Sequence, residues 1–182
     1  MLKQLFFIPL TTVFLVFNCY TINAQKSGIE TAGDLGLIVV PVAAFTVTLL
    51  KEDRQGTWQF TKGFLLSGAL TYGLKVSINK PRPHDHGDYA FPSGHSSTTF
   101  QGASFIHKRY GFKYSIPTYA IAGFTAFSRL DAQRHDGWDV LAGAVVGIGS
   151  TLLFTTDYQQ EHMELTFGSN EGDYLLGFKY KF

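Results

Sequence analysis

The sequence predicts an all-α fold: a bundle of five or six apolar helices, with a small β-hairpin at its C-terminal end. Three observations lead there. Apolar stretches of helical length recur between short polar connections, 19 glycines are spread along the chain where helix backbones can approach closely, and only the tail alternates apolar with polar residues.

The first apolar run, Leu5 to Phe17, follows Lys3 and leads into a polar stretch ending Ile22-Asn23-Ala24-Gln25. Its length falls short of the ~20 residues a spanning helix needs, so it reads as a secretory signal peptide cut near Ala24 or Gln25, with an uncleaved first helix as the alternative. The second stretch, Asp34 to Leu50, carries Pro41 and stops at Lys51-Glu52-Asp53-Arg54. A third, Gly63 to Ile78, ends before Pro81. Ser96 to Ile106 is more polar, and Phe100, Ala103, Phe105 and Ile106 give it a helical stripe, so its other face suits the lining of a site. Ile116 to Phe127 and Val140 to Phe154 complete the set, the last with Gly143, Gly147 and Gly149. In the tail, apolar and polar residues alternate on both sides of the turn cluster Gly168-Ser169-Asn170-Glu171-Gly172-Asp173, which predicts the hairpin. The expected organisation is a leader over residues 1–25, one functional domain over 26–157, and the tail over 158–182.

Composition narrows the function. A formal net charge of +1 lacks the basic footprint of a nucleic-acid binder, and a lone cysteine, Cys19, offers neither a disulfide framework nor a thiolate zinc site. Hydrophobic residues make up 45% and charged residues 16% of the chain, and the mean hydropathy is +0.05, which fits a small membrane protein with a polar working face. The connections at Lys51 to Lys62 and His107 to Lys113 each carry three Lys or Arg. If these face the cytoplasm, the alternate connections, Lys80 to His95 and Arg129 to Asp139, face outside.

Those outward connections hold the chemistry. Lys75, Arg82 and Arg129 stand near helix ends, where fixed cations are costly unless they share an anion, and the guanidinium fork suits phosphate. Ser93-Gly94-His95 opens a predicted helix, so its N–H groups can point at the same anion. His135 and Asp139 are four apart, which on a helix places them on one face, the carboxylate holding one ring nitrogen and leaving the other free to attack. His95 is then available as a general acid.

The residues Lys75-x6-Arg82-Pro83, Pro92-Ser93-Gly94-His95 and Ser128-Arg129-x5-His135-x3-Asp139 form a three-part pattern. It resembles that of the type 2 phosphatidic acid phosphatase superfamily, which also includes bacterial class A acid phosphatases and vanadium haloperoxidases. The match, with its supporting helices, spans about residues 35 to 155. The resemblance implies that Lys75, Arg82, Arg129, Ser93 and Gly94 bind phosphate oxygens. His135 would form a phosphohistidine, Asp139 would orient it and His95 would protonate the leaving alcohol, with neither a metal nor another cofactor. It further implies a phosphorylated lipid as substrate and the bilayer as partner, in the inner membrane of a bacterial envelope with the site on the periplasmic side. The alternatives are a soluble periplasmic acid phosphatase of broad specificity, a vanadium-dependent haloperoxidase and a non-catalytic phospholipid-binding protein. The run His84, Asp85, His86 and Asp88 offers metal-ligand chemistry but reads better as a polar loop. Arg134 and Asp136 flank His135 as possible leaving-group contacts, and Trp138 reads as an interfacial anchor.

Overall fold

The structure, a computed structural model, describes residues 27–158, 163–170 and 173–180. The candidate leader lies outside the described residues. Five helices form the bundle: α1 (Gly28–Leu50), α2 (Arg54–Ile78), α3 (Gly94–Tyr110), α4 (Phe112–Asp131) and α5 (Gly137–Leu152). The first four each contain one of the apolar stretches and α5 holds most of the last, with the helix starts lying ahead of the apolar runs where capping residues set them. Ser27 caps α1 by accepting from the Glu30 N–H, Asp53 caps α2 by accepting from the Gly56 N–H, and Asn79, in a left-handed conformation, ends α2. Pro41 lies inside α1 without interrupting it.

The fold class is corrected to an all-α, five-helix bundle. Among the described residues there is no sixth helix of comparable length, and the hairpin is no part of the bundle. The backbones of β1 (Met163–Asn170) and β2 (Asp173–Tyr180) pair antiparallel, Met163 opposite Tyr180 and Asn170 opposite Asp173, but only with each other. A lone two-stranded ribbon contributes no layer to a core.

α3 occupies the centre and packs against all four other helices. Its interior is polar in composition yet buried: Ser96, Ser97, Thr99, Gln101 and Ser104 are all inaccessible. Small side chains let neighbours come close, and the hydroxyls of Ser97, Thr99 and Ser104 return to the helix's own carbonyls, Thr99 Oγ1 to His95 O at 2.8 Å and Ser104 Oγ to Gln101 O at 3.1 Å. On the facing side of α5, Gly143 and Gly147 lie directly against the backbone of Ser93 and Ser97. A Cβ at Gly147 would land on the Ser97 carbonyl oxygen. Gly147→Ala is therefore expected to lower stability by about 1–3 kcal/mol, since backbone rather than a flexible side chain must yield. Thermal unfolding of the purified variant checks this, and an unchanged midpoint would contradict the packing described. The remaining apolar core lies in two groups, Ala44, Phe60, Phe105 and Ile106 in one and Val40, Ala103 and Ala122 in the other.

α1 is long and apolar enough to cross a membrane. The helix ends segregate chemically. Lys51, Asp53, Arg109 and Tyr110 cluster at one end of the bundle, while Lys75, Arg82, His95, Arg129 and His135 gather at the other.

Candidate active site

At that second end a cavity of about 370 Å³ is lined by Glu30, Asp34, Lys75, Arg82, Gly94, His95, Arg129, Arg134 and His135. The three motifs thus converge from four helices and two loops, although up to 64 residues separate their members in the chain.

Each motif reaches the cavity for a local reason. α2 stops at Asn79 just after Lys75, whose Nζ donates to Tyr89 O at 2.7 Å. The loop folds back through Ala90 N–H to Lys80 O, and Arg82 is fixed by donation from Nε to Asp88 O at 3.2 Å. α3 begins at Gly94, so its positive end opens beside Lys75. Arg129, in the last turn of α4, is nearly inaccessible and is held on every nitrogen: Nε to Ser128 Oγ at 3.1 Å, NH2 to Glu30 O at 2.7 Å and NH1 to Asp34 Oδ1 at 2.9 Å. Its carboxylate partner is therefore Asp34 and not the sequence neighbour Asp131.

Ser93 stands apart from the cavity-lining residues of its motif. It is fully buried and does not line the cavity; its Oγ caps α3 by accepting from Ser96 N–H and its own N–H donates to Asp139 O at 2.8 Å. It fastens the start of α3 to the start of α5.

His135 and Asp139 meet, but not on one helical face. His135 lies in the loop before α5, Asp136 is the N-cap and Asp139 sits in the first turn, the two aspartates forming a reciprocal capping box with both contacts at 3.0 Å. Asp139 is completely buried, and its Oδ2 stands 3.5 Å from His135 Nδ1. This leaves Nε2 as the ring nitrogen available to the cavity. Lys80, which sequence reasoning passed over, donates to both Asp136 and Asp139, the latter at 2.8 Å. Its place beside Pro81-Arg82 was the available signal. Despite the opposing effect of burial, those two bonds hold the Lys80 ammonium above its ordinary range, and Lys80 in turn holds Asp136 below the usual carboxylate range.

Burial, followed by the positive charges of Lys75 and Arg82, pushes His135 down to about 4, with Asp139 opposing them only partly. The ring is consequently neutral, with a free electron pair, over the whole physiological range. Burial and the charge of Arg134 likewise work against the Arg82 cation. Four fixed cations against two carboxylates leave the cavity with a net positive charge, suited to a phosphate dianion.

A family profile described as the PAP2 superfamily matches residues 56–163. The chain belongs to this superfamily. It is 30% identical over 175 residues to a lipid A 4'-phosphatase of Helicobacter pylori, covering 90% of this chain and 87% of that one. It is also 39% identical over 89 residues to a lipid A 1-phosphatase of Porphyromonas gingivalis, covering 47% of this chain and 20% of the relative. The crystal structure of Aquifex aeolicus LpxE superposes with a TM-score of 0.61 at 20% identity, covering 79% of this chain and 92% of that one, and so shares the fold. As a PAP2 protein of the lipid-phosphatase type, the chain is a phosphoric monoester hydrolase.

Of the remaining candidates, Arg134 belongs to the cavity wall, whereas His84, His86, Asp88, Asp136 and Trp138 do not. Among the described residues no group of three His, Cys, Asp or Glu side chains is placed to hold a metal ion; His86 Nδ1 lies 3.4 Å from Gln133 O. Trp138 is largely exposed beside the site. Arg134 lines the cavity and donates from Nε to Glu30 Oε1 at 3.1 Å, whereas Asp136 faces Lys80.

For a PAP2 site, the His135 environment carries a pH prediction. An imidazole whose folded value lies below the ordinary one stays neutral until the pH falls to about 4, where a free histidine would be half protonated near 6.5. Nitrogen-15 NMR of histidine-labelled, substrate-free protein, with His135→Asn to assign the signal, should show this ring neutral at about pH 5.5. An imidazolium spectrum there would refute the electrostatic description.

Proposed function

We propose that this protein removes a phosphate monoester from a membrane lipid by way of a phosphohistidine on His135, without a metal ion. The observation that carries this reading is the nearly inaccessible His135 ring, backed by Asp139 and facing a cavity lined by Lys75, Arg82 and Arg129.

In the first step His135 Nε2 attacks phosphorus, the phosphorus–oxygen bond to the lipid breaks, and the leaving oxygen takes a proton from His95. Asp139 stabilises the positive charge that develops on the His135 ring, and Lys75, Arg82, Arg129 and the Gly94 N–H meet the charge on the phosphoryl oxygens. Water then attacks the phosphohistidine, giving its proton to His95, and the phosphorus–nitrogen bond breaks to release orthophosphate. No redox partner is needed, and the proton lent by His95 is returned within the cycle.

The relatives acting on lipid A support a phosphorylated glucosamine lipid as the substrate class. The site lies at the end of the bundle opposite Lys51 and Arg109, which supports a head group presented at one membrane surface, on the outer side by the charge pattern. The test is phosphate release in the presence of EDTA from lipid A, phosphatidate, phosphatidylglycerophosphate, undecaprenyl diphosphate and a soluble aryl phosphate. Release from lipid A in preference to the others supports the proposal. Activity confined to the aryl phosphate would replace it with a broad-specificity acid phosphatase, and loss of activity on chelation would remove the metal-free mechanism.

Lys80 serves this chemistry indirectly by fixing Asp139. Lys80→Met is expected to lower kcat about tenfold to a hundredfold while changing KM little, because the phosphate cations stay in place. A change confined to KM would place Lys80 on the substrate instead.

A further inference from the structure

Two donors that the proposed chemistry aims at substrate are already engaged by one atom of the protein. Asp34 Oδ1, from the second turn of α1, accepts from Arg129 NH1 at 2.9 Å and contacts His95 Nε2 at 2.9 Å, the two nitrogens being 3.4 Å apart. A carboxylate oxygen and a phosphoryl oxygen are equivalent acceptors for such donors, with the same charge-assisted bond lengths. The point where Oδ1 sits is therefore where a phosphate oxygen would be bound by Arg129 and reached by His95.

We propose that Asp34 is a resident anion occupying a phosphoryl-oxygen seat, which the substrate's phosphate must displace. The inference rests on the phosphatase reading of the same cavity.

The surroundings fit displacement. The α1 backbone packs closely here, with Gly33 against Ser128 and Arg129 and Gly36 against Thr125, and it is tied to α4 through Glu30 O, which accepts from Arg129 NH2 at 2.7 Å. The Asp34 side chain is 31% exposed and lines the open cavity, so rotation about its own bonds suffices to carry it aside. The neighbouring carboxylate, Glu30, is occupied differently, since its Oε1 accepts from Arg134 at the rim. Asp34 thus keeps Arg129 and His95 oriented and charge-balanced when no ligand is present. It also sets a threshold that a dianion surrounded by Lys75, Arg82 and Arg129 passes more readily than a monoanion.

Calorimetric titration of orthophosphate into the full chain in lipid nanodiscs tests this. Asp34→Asn keeps the shape and an acceptor oxygen but removes the competing charge, and it should tighten the orthophosphate Kd by about tenfold or more, with KM falling in parallel. Asp34→Glu, which retains the charge, should show no such gain. If the asparagine variant does not fold, Asp34→Ser carries the same expectation. Wild-type binding that is unchanged or weakened by loss of the charge would overturn the role of Asp34 while leaving the phosphatase reading standing. Absence of orthophosphate binding in wild type and variants alike would overturn both.

Discussion

Replacing His135 with alanine is expected to reduce kcat/KM on the phosphorylated lipid by about ten-thousandfold, or about 5.5 kcal/mol of transition-state stabilisation. The magnitude follows from what is lost. In the proposed mechanism the ring supplies the bond to phosphorus, and the cations that remain would bind and polarise the ester without replacing a nucleophile backed by Asp139. Orthophosphate binding should survive in the variant, because Lys75, Arg82 and Arg129 are untouched. Phosphate release from a purified, folded His135→Ala protein is the measurement. A rate within tenfold of wild type would assign the chemistry to another group, and loss of orthophosphate binding with the rate would show a collapsed cavity rather than a missing nucleophile.

Arg109→Ala should produce the largest loss of stability, about 3–5 kcal/mol, without removing any group from the cavity. Arg109 and Asp53 are both buried at the opposite end of the bundle, joined through Nε to Oδ2 at 2.8 Å and NH2 to Oδ1 at 2.7 Å. Tyr110 Oη adds a bond to Asp53 Oδ2 at 2.8 Å, the Gly56 N–H one to Oδ1 at 2.7 Å, and Arg109 NH1 reaches Thr156 O at 3.1 Å. This network ties the α1–α2 turn to the end of α3 and to the chain beyond α5. Truncating the arginine strands a carboxylate in the interior. Burial alone would raise the Asp53 pKa, but Arg109 and the other donors hold it below the ordinary carboxylate range. Its contribution is thus present above that range and disappears as the pH falls. Denaturation in mixed micelles would measure the loss, and Asp53→Leu combined with Arg109→Met should recover much of it, since an apolar pair leaves no buried charge unmatched. A double variant no better than Arg109→Ala would argue against that explanation.

Local spacing made much of the site readable. Lys75 to Arg82, Ser93 to His95 and Arg129 to Asp139 are short segments whose residue types and intervals meet the demands of phosphate chemistry without knowledge of the fold. The residues that were missed have distant partners. Lys80 meets Asp136 and Asp139 across 56 and 59 positions, and Asp34 meets His95 across 61 and Arg129 across 95. A carboxylate opening an apolar helix was the available hint for Asp34. The four-residue interval from His135 to Asp139 would share a face only on a helix, whereas Asp136-Gly137-Trp138-Asp139 is a capping pattern that puts the N-cap directly after the histidine and the first helical residue at Gly137. Alternation in the tail predicted two strands but could not tell whether they would join the core.

The sequence by itself determined the helical class, the positions of five apolar helices and the three motifs that meet at the cavity, because hydrophobic periodicity and motif spacing are local properties of the chain. Only the tertiary structure decided that Ser93 fastens α3 to α5 instead of facing the cavity, that Lys80 rather than solvent secures Asp139, and that Asp34 stands between Arg129 and His95. Each of those outcomes depends on which helix ends meet, and that is set by the close backbone contacts at Gly33, Gly143 and Gly147, where the absence of a side chain brings distant charges within bonding distance.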